Sequence, residues 1–503
     1  LQYLNLSNLS AEYKSNLSFL FHDLTNLLSI DLSKFESPFI SNTLEGLFLN
    51  CTNLKYIDIS SFNFSKTYNI TNMFKGCYSL NYLNLTNFYI SEISDFSYLF
   101  SDCYNLQYLY MQNFVSSRIA NRMDYMFSNC KSLEKIELNN LKLYETTNIS
   151  GMFSGCISLK EIRLVNDVHS KSVDYSYMFS NCYSLTSISF KNFVGSDEIN
   201  ILDYMFNNCS KLQTVIFSYY EGFDTRKTRS MKYMFNNCTS LSSSKHLDIY
   251  IFEVSELSYL FNNCTSLTSF ELSSSFIQPF ERDTEINQYD YMFNNCTRLT
   301  KVDIFNIRFI NKVNLQGFFN NCISLKSITF DQFYISQAID LSFMFKNCKT
   351  LESLDLSDFN NISAFNTMEG IFYGCEMLYS LEISNLDTSK TTNMKDMFHD
   401  CSRLSSINLN NFKTSFVENM NGMFAGCKYL TSLDLRGFVT SKVKDMSYMF
   451  DNCNLIKELS LRNFDTSSVK RMDSMFKNCV SLIFLYISSF NTSSVVSMQS
   501  AFE

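Results

Sequence analysis

The chain has 503 residues, 46% hydrophobic and 18% charged, with 49 Phe, 30 Tyr, 22 Met and 17 Cys against 12 Gly, 2 Pro and no Trp. That much apolar material excludes a wholly disordered chain, and so little Gly and Pro excludes collagen. A net charge of −8, from 41 basic and 49 acidic residues, gives no electrostatic case for nucleic acid, and no apolar run is long enough to span a bilayer.

The chain opens at Leu1 without a methionine, a basic segment or a signal-like apolar stretch, which leads to the expectation of a mature or excised segment. Phe21 and Leu24 then start a pattern that governs the rest. Cysteines follow at Cys51, Cys77, Cys103, Cys130, Cys156, Cys182, Cys209, Cys238, Cys264, Cys296, Cys322, Cys348, Cys375, Cys401, Cys427, Cys453 and Cys479. Of the sixteen gaps eleven are 26, three are 27 and the others 29 and 32. Each cysteine is preceded three residues earlier by Phe, and in twelve units that Phe follows Met. Such a period marks a solenoid of stacked coils rather than a string of globules. Counting the unit with Leu24 in place of Cys, and the one opened by Phe502, there are about 19 coils of 26–27 residues. No Gly, Ser or Pro linker interrupts them, so residues 1–503 read as a single solenoid domain.

The gap of 29 places extra residues in a polar loop near 221–229, and the gap of 32 places more near 277–288, around Pro279. Between them the strand signature shifts three residues later, to Leu247-Asp-Ile249. These irregularities read as tolerated surface insertions or a projecting loop patch. A regular unit follows further on. Leu433 and Leu435 flank Asp434 with the period of two that marks a strand. Met446, Met449, Phe450 and Cys453 then fall at offsets 0, 3, 4 and 7, which predicts a short helical turn. The predicted fold is therefore a leucine-rich-repeat solenoid, with a parallel β-sheet on one face and short helical turns on the other. Neither element is stable alone, and stacking supplies the core.

The unit running from Cys427 through Leu430, Leu433, Leu435, Phe438, Thr440-Ser441, Val443 and Met446 to Met449-Phe450 resembles the 26-residue surface-protein repeat of the BspA-like leucine-rich family, and the resemblance recurs in phase along the whole chain. It implies a secreted or surface-attached protein used in adhesion or recognition, and no enzymatic activity. The middle of the chain departs from the family pattern, because the Thr-Ser turn and the strand Asp are often lost there.

Candidate chemistry follows from the columns that stacking creates. The cysteines close an apolar face, match no metal motif, and are replaced by Leu24 in one unit, so they read as a buried ladder of free thiols, with occasional disulfides or a metal site as the alternatives. No cofactor is expected, and neither the four histidines nor any known motif supplies a catalytic residue. The outward residue in the strand is acidic in nine units: Asp31, Asp58, Glu137, Asp248, Glu271, Asp303, Asp355, Glu382 and Asp434. That column is either a recognition stripe or a solvated face that keeps the sheet soluble. The residue before Met-Phe or Leu-Phe is Tyr98, Tyr125, Tyr177, Tyr204, Tyr233, Tyr259, Tyr291 or Tyr448 in eight units, a row able to stack on sugars or to pack at the edge of the face.

Fourteen sequons stand at Asn5, Asn8, Asn16, Asn50, Asn63, Asn69, Asn84, Asn148, Asn208, Asn237, Asn263, Asn295, Asn361 and Asn491, close to the number expected by chance in so Asn-rich a chain. Five of them occupy the slot before the cysteine. The expected function is extracellular or cell-surface recognition or adhesion, with a protein or glycan ligand on a cell or matrix surface. The alternative is a structural subunit of a fibre or surface coat, suggested by termini that show no polar cap and would join in phase end to end.

Overall fold

The computed structural model describes all residues except 7–15, 33–42, 60–66, 87–92, 94, 112–121, 139–147, 164–165, 168–172, 191–192, 195–199, 218–224, 226–227, 244–246, 248, 250–253, 274–286, 358 and 360–365. It divides into two compact units, unit 1 comprising Leu1–Leu241 with Lys245–Ile251, and unit 2 comprising Ser242–Ser244 with Phe252–Glu503. Both are parallel β-solenoids.

In unit 1 the strands are β1 (Tyr3–Asn5), β2 (Ser29–Asp31), β3 (Tyr56–Asp58), β4 (Tyr82–Asn84), β5 (Tyr108–Tyr110), β6 (Lys135–Glu137), β7 (Glu161–Arg163), β8 (Asn166–Asp167), β9 (Ser187–Ser189), β10 (Phe193–Val194), β11 (Asn200–Ile201), β12 (Thr214–Ile216) and β13 (Thr228–Ser230). Parallel pairing joins β1 to β2 to β3, β4 to β5, β6 to β7, β8 to β10, β9 to β12 and β11 to β13. Unit 2 holds β14 (Ser269–Ser273), β15 (Asn287–Gln288), β16 (Lys301–Asn314), β17 (Ser327–Asp340), β18 (Ser353–Asp355), β19 (Ser380–Glu382), β20 (Glu458–Ser460) and β21 (Phe484–Tyr486). There β16 lies between β14 and β17 and also pairs β15, while β18 pairs β19 and β20 pairs β21.

A typical strand is three residues long, with its middle residue (Ile57, Leu83, Ile136, Leu354) buried and its flanks facing out. The alternation predicted from sequence is thus present, reduced to one inward side chain per strand. β16 and β17 are the exceptions, at 14 residues each. Their Thr-Ser corner is replaced by runs rich in Ile, Phe and Val, residues that suit a pleated backbone, and the strand carries on through the corner. At Thr388, Thr414, Thr440 and Thr466 the corner threonine is buried and bonds to the next coil. Thr414 Oγ1 donates to the Val439 carbonyl at 2.9 Å and accepts the Val439 N–H at 2.8 Å. Of the predicted irregular segments, 221–229 and 277–288 lie largely outside the described residues, as does Asp248, while Leu247 and Ile249 on either side of it are buried; β13 and β15 enter the two loops at their ends.

The predicted helical turn is corrected. Among the described residues there is no helix, and the segment from Met446 to Cys453 is a succession of tight turns. Two residues per unit sit at positive φ there, as at Tyr448 (58°) and Asn452 (58°), a conformation no right-handed helix contains. The N–H groups of Met446, Tyr448, Phe450 and Asn452 leave the coil and donate to the carbonyls of Arg471, Asp473, Met475 and Lys477 at 2.8–2.9 Å. Between them, Met449, Asp451 and Cys453 donate back three residues within the coil. Overlapping turns that begin every two residues place Met446, Met449, Phe450 and Cys453 on one buried side, so the apolar spacing mimics a helix. The discriminating signal is polar: the slot before each cysteine is always Asn, Asp or Gly, the residues that accept positive φ.

The phenylalanines of the turn segment form the core. Their rings stack coil on coil from Phe21 to Phe235 in unit 1 and from Phe261 to Phe502 in unit 2, for example Phe127 on Phe153 at 5.3 Å and Phe424 on Phe450 at 5.8 Å. All 17 cysteines are free, and all but the half-buried Cys479 are fully buried. Cys77 Sγ donates to the Phe48 carbonyl at 3.2 Å, and Cys427 Sγ to the Phe398 carbonyl at 3.2 Å. The Phe48 carbonyl also accepts the N–H of Cys51 from its own coil. The thiol therefore fills the second lone pair of a buried carbonyl, a role that packing alone does not require.

Candidate recognition surface

Stacking brings the predicted acidic residues together in pairs rather than as one stripe. In unit 1, Asn5, Asp31 and Asp58 are in register across β1, β2 and β3, while Glu137 lies beside Arg163. In unit 2, Glu271 and Asp303 are in register and are followed by Thr329, and Asp355 is in register with Glu382. Asp434 lies in an extended segment without ladder pairing, and Asp248 lies outside the described residues.

Several of these carboxylates also serve their own coil. Glu137 pairs with Lys135 at 3.2 Å and Asp303 with Lys301 at 2.7 Å. Asp355 and Glu382 accept the N–H groups of Ser357 and Ser384 at 2.8 Å, the local turn that Asp and Asn favour where a strand ends. The Ser384 hydroxyl and N–H hold the Glu382 carboxyl below its ordinary range. Hydrogen bonds from the Arg436 side chain and N–H bring the Asp434 carboxyl down to about 2, with Nη2 to Oδ2 at 2.7 Å. Turn capping thus accounts for part of the acidic bias in this column.

The turn face is spent on holding coils together. Asn50 Nδ2 donates to Asp23 Oδ1 at 2.9 Å, Asn208 Nδ2 to Asn181 Oδ1 at 2.8 Å, Asn237 Nδ2 to Asn208 Oδ1 at 2.7 Å and Asn295 Nδ2 to Asn263 Oδ1 at 2.9 Å. These five sequon asparagines, Asn263 included, are half-buried at positive φ, and in Asn50, Asn208, Asn237 and Asn295 the nitrogen a glycan would take is already a donor. Asn69 and Asn148 are half-buried where the next coil bridges, Asn5, Asn16, Asn84 and Asn491 are exposed, and Asn8, Asn63 and Asn361 lie outside the described residues. The tyrosine row also packs on itself: Tyr98 on Tyr125 at 5.2 Å, Tyr177 on Tyr204 at 4.7 Å, Tyr204 on Tyr233 at 4.8 Å and Tyr259 on Tyr291 at 5.1 Å. Where the row stops, Gly151 and Gly317 give Tyr125 and Tyr291 room to lie flat, since a Cβ at either glycine would stand 2.3 Å from the ring.

One charged cluster interrupts this face in unit 2. His399 Nδ1 stands 3.1 Å from Asp396 Oδ1 and Nε2 3.5 Å from Asp400 Oδ2, with the ring stacked 4.7 Å from Tyr373. Burial lowers its pKa, but the Asp396 hydrogen bond and the charges of Asp400, Asp396 and Asp451 outweigh it, so the net shift is upward. Among the described residues no group of three His, Cys, Asp or Glu could hold a metal ion, and no helix is long and apolar enough to cross a membrane.

A family model described as "Mycoplasma protein of unknown function, DUF285" matches residues 15–135, 84–193, 195–276, 287–379, 339–460 and 454–503, nearly the whole chain. The chain belongs to this DUF285 family. Its six successive matches agree with the resemblance to BspA-like surface-protein repeats. No curated protein matches the sequence. Among solved structures, a leucine-rich repeat protein from Bacteroides ovatus is 16% identical with a TM-score of 0.36, over 97% of this chain and 92% of that one. A leucine-rich cell surface protein from Faecalibacterium prausnitzii is 13% identical with a TM-score of 0.24, over 63% and 83%. An internalin from Listeria monocytogenes is 16% identical with a TM-score of 0.22, over 67% and 74%. These likenesses concern the fold alone, and the DUF285 description names no activity.

The sequence reading missed a row of exposed tyrosines at the first outward strand position, Tyr3, Tyr56, Tyr82 and Tyr108, joined by Tyr110 at the third. The signal was available in the recurring Tyr-Leu or Tyr-Ile pair that opens these strands.

Proposed function

We propose that this DUF285 chain is a non-enzymatic recognition protein, one solenoid of about 19 coils that acts outside the cell or at its surface. Its outward strand face binds a protein or glycan on a cell or matrix surface. The observation that carries this reading is a division of labour between faces. The asparagine ladder, the tyrosine stack and the corner threonines are turned onto the next coil, whereas the strand face presents carboxylate pairs and exposed rings to solvent. Like charges in register about 4.8 Å apart repel, and a partner carrying positive charge relieves them. Asn5, Asn16, Asn84 and Asn491 are the sequons we assign as open to glycosylation if the chain passes through a glycosylating compartment.

The test is titration of the labelled chain onto fixed epithelial cells at low and at high ionic strength. Saturable binding that weakens with salt supports the reading. Binding that never saturates, or that ignores salt, refutes it.

A further inference from the structure

The outward strand positions of unit 1 carry a cluster of solvent-exposed rings. Tyr56 in β3, Tyr82 in β4 and Tyr108 in β5 share the first outward position, and Tyr110 in β5 is in register with Asn84 at the third. They are 52%, 37%, 48% and 45% exposed, although tyrosine has ample apolar surface to bury. Tyr82 and Tyr110 meet at 5.6 Å with their planes inclined by 49°, so neither ring hides the other's face. With β4 paired to β5 and β3 packed beside β4, the four rings lie on three successive coils and form one short strip of π surface.

The chain shows elsewhere what such positions take. In unit 2 the third outward position of β21 is Tyr486, and the Arg462 guanidinium lies 4.3 Å over its ring. The same column holds Asp434, onto which Arg436 forks with Nε to Oδ1 at 3.0 Å and Nη2 to Oδ2 at 2.7 Å. In unit 1 the exposed Tyr78 stacks at 4.6 Å on the half-buried Tyr104, whose ring carries the Lys131 ammonium at 4.0 Å. Both unit 2 arginines stand two residues after the third outward position. After β3, β4 and β5 that place is taken by Ser60, Thr86 and Gln112, none of them charged.

We infer that the strip of Tyr56, Tyr82, Tyr108 and Tyr110 docks an Arg- or Lys-bearing peptide segment of a protein partner, its cations lying over the ring faces as Arg462 lies over Tyr486. This rests on the recognition reading above and names the partner's chemistry. The ring quadrupole supplies the attraction, and the acidic net charge of the chain favours the approach.

The probe is a fluorescein-labelled octa-arginine peptide titrated against the full 503-residue chain. The variant Y82S/Y108S/Y110S removes three rings and Y82F/Y108F/Y110F keeps them; neither changes net charge. The expected result is binding within about twofold of the parent for the Phe variant and at least about tenfold weaker for the Ser variant. Equal binding by the Ser variant means that net charge alone holds the peptide and overturns the proposal. So does a chito-oligosaccharide that binds the parent and loses the Ser variant while octa-arginine does not. If the triple Ser variant fails to fold, as judged by its circular dichroism, Y108S against Y108F decides in the same way. Peptide binding with this ring dependence, in a chain that ignores cells, would refute the cell-surface reading and leave the strip standing.

Discussion

Replacing Asn208 separates the turn ladder from the helical turn that the apolar spacing suggested. Asn208 has φ of 63°, donates to Asn181 Oδ1 at 2.8 Å and accepts from Asn237 Nδ2 at 2.7 Å. Asn208→Ala and Asn208→Gly both lose these two hydrogen bonds, worth about 1 kcal/mol each. Alanine must in addition adopt a left-handed backbone, which costs roughly 1–2 kcal/mol. Glycine escapes that cost but gives up roughly 0.5–1 kcal/mol of chain entropy on folding. The net expectation is that Gly is better than Ala by about 1 kcal/mol. In a helix the order is reversed, with Ala better by about 0.8–1.0 kcal/mol. Urea unfolding followed by amide hydrogen exchange in peptides spanning Met205–Leu212 reads the difference locally. A midpoint for the Ala variant equal to or above that of the Gly variant would refute the ladder.

Two further predictions rest on titratable groups. The folded chain should show few thiols reactive at neutral pH and about 17 after denaturation. Burial pushes Cys51 and Cys479 up only to about 11, against about 12 for Cys156, Cys209 and Cys375, so Cys51 and Cys479 should be labelled first as pH is raised in the folded state. Early labelling of Cys209 instead would contradict the burial order. His399 faces Asp396, Asp400 and Asp451, with Tyr373 on its flank and Lys346 beyond that ring. Its folded pKa is raised, so its contribution to stability is complete below the ordinary histidine value and is lost as pH rises through the folded one. Parent and His399→Gln should therefore differ most in urea midpoint at acidic pH and converge at alkaline pH. A gap that widens with pH would show that the charges do not act on this ring.

The coil, its period and its inward residues were legible because stacking repeats the same environment every 26 or 27 residues. Leu83, Phe74 and Cys77 are buried for the reasons their spacing suggests. What misled was the identity of spacing between two backbones: Met446, Met449, Phe450 and Cys453 share a face on a helix and on chained turns alike. Polar residues separate the two, and Asn, Asp or Gly before every cysteine pointed to positive φ. The described members of the acidic column lie at outward strand positions, and their local duty was invisible in the sequence. A hydrogen bond from Ser384 N–H to Glu382 spans two residues and leaves no periodic trace. Nor could sequence show that the nitrogens of Asn208 and Asn237 are committed to neighbouring coils, since a ladder exists only once coils are stacked.

The division of labour proposed is one in which the strand face recognises and the turn face holds. It is tested most directly by comparing binding to fixed epithelial cells of two variants with matched circular dichroism. Asp303→Asn/Asp355→Asn/Glu382→Gln alters the strand face, and Lys346→Gln/His399→Gln alters the turn face. The account predicts that the first weakens binding by at least about tenfold, through three charges at roughly 0.5–1 kcal/mol each, while the second binds like the parent. Loss of binding in the turn-face variant with the strand-face variant unchanged would contradict it.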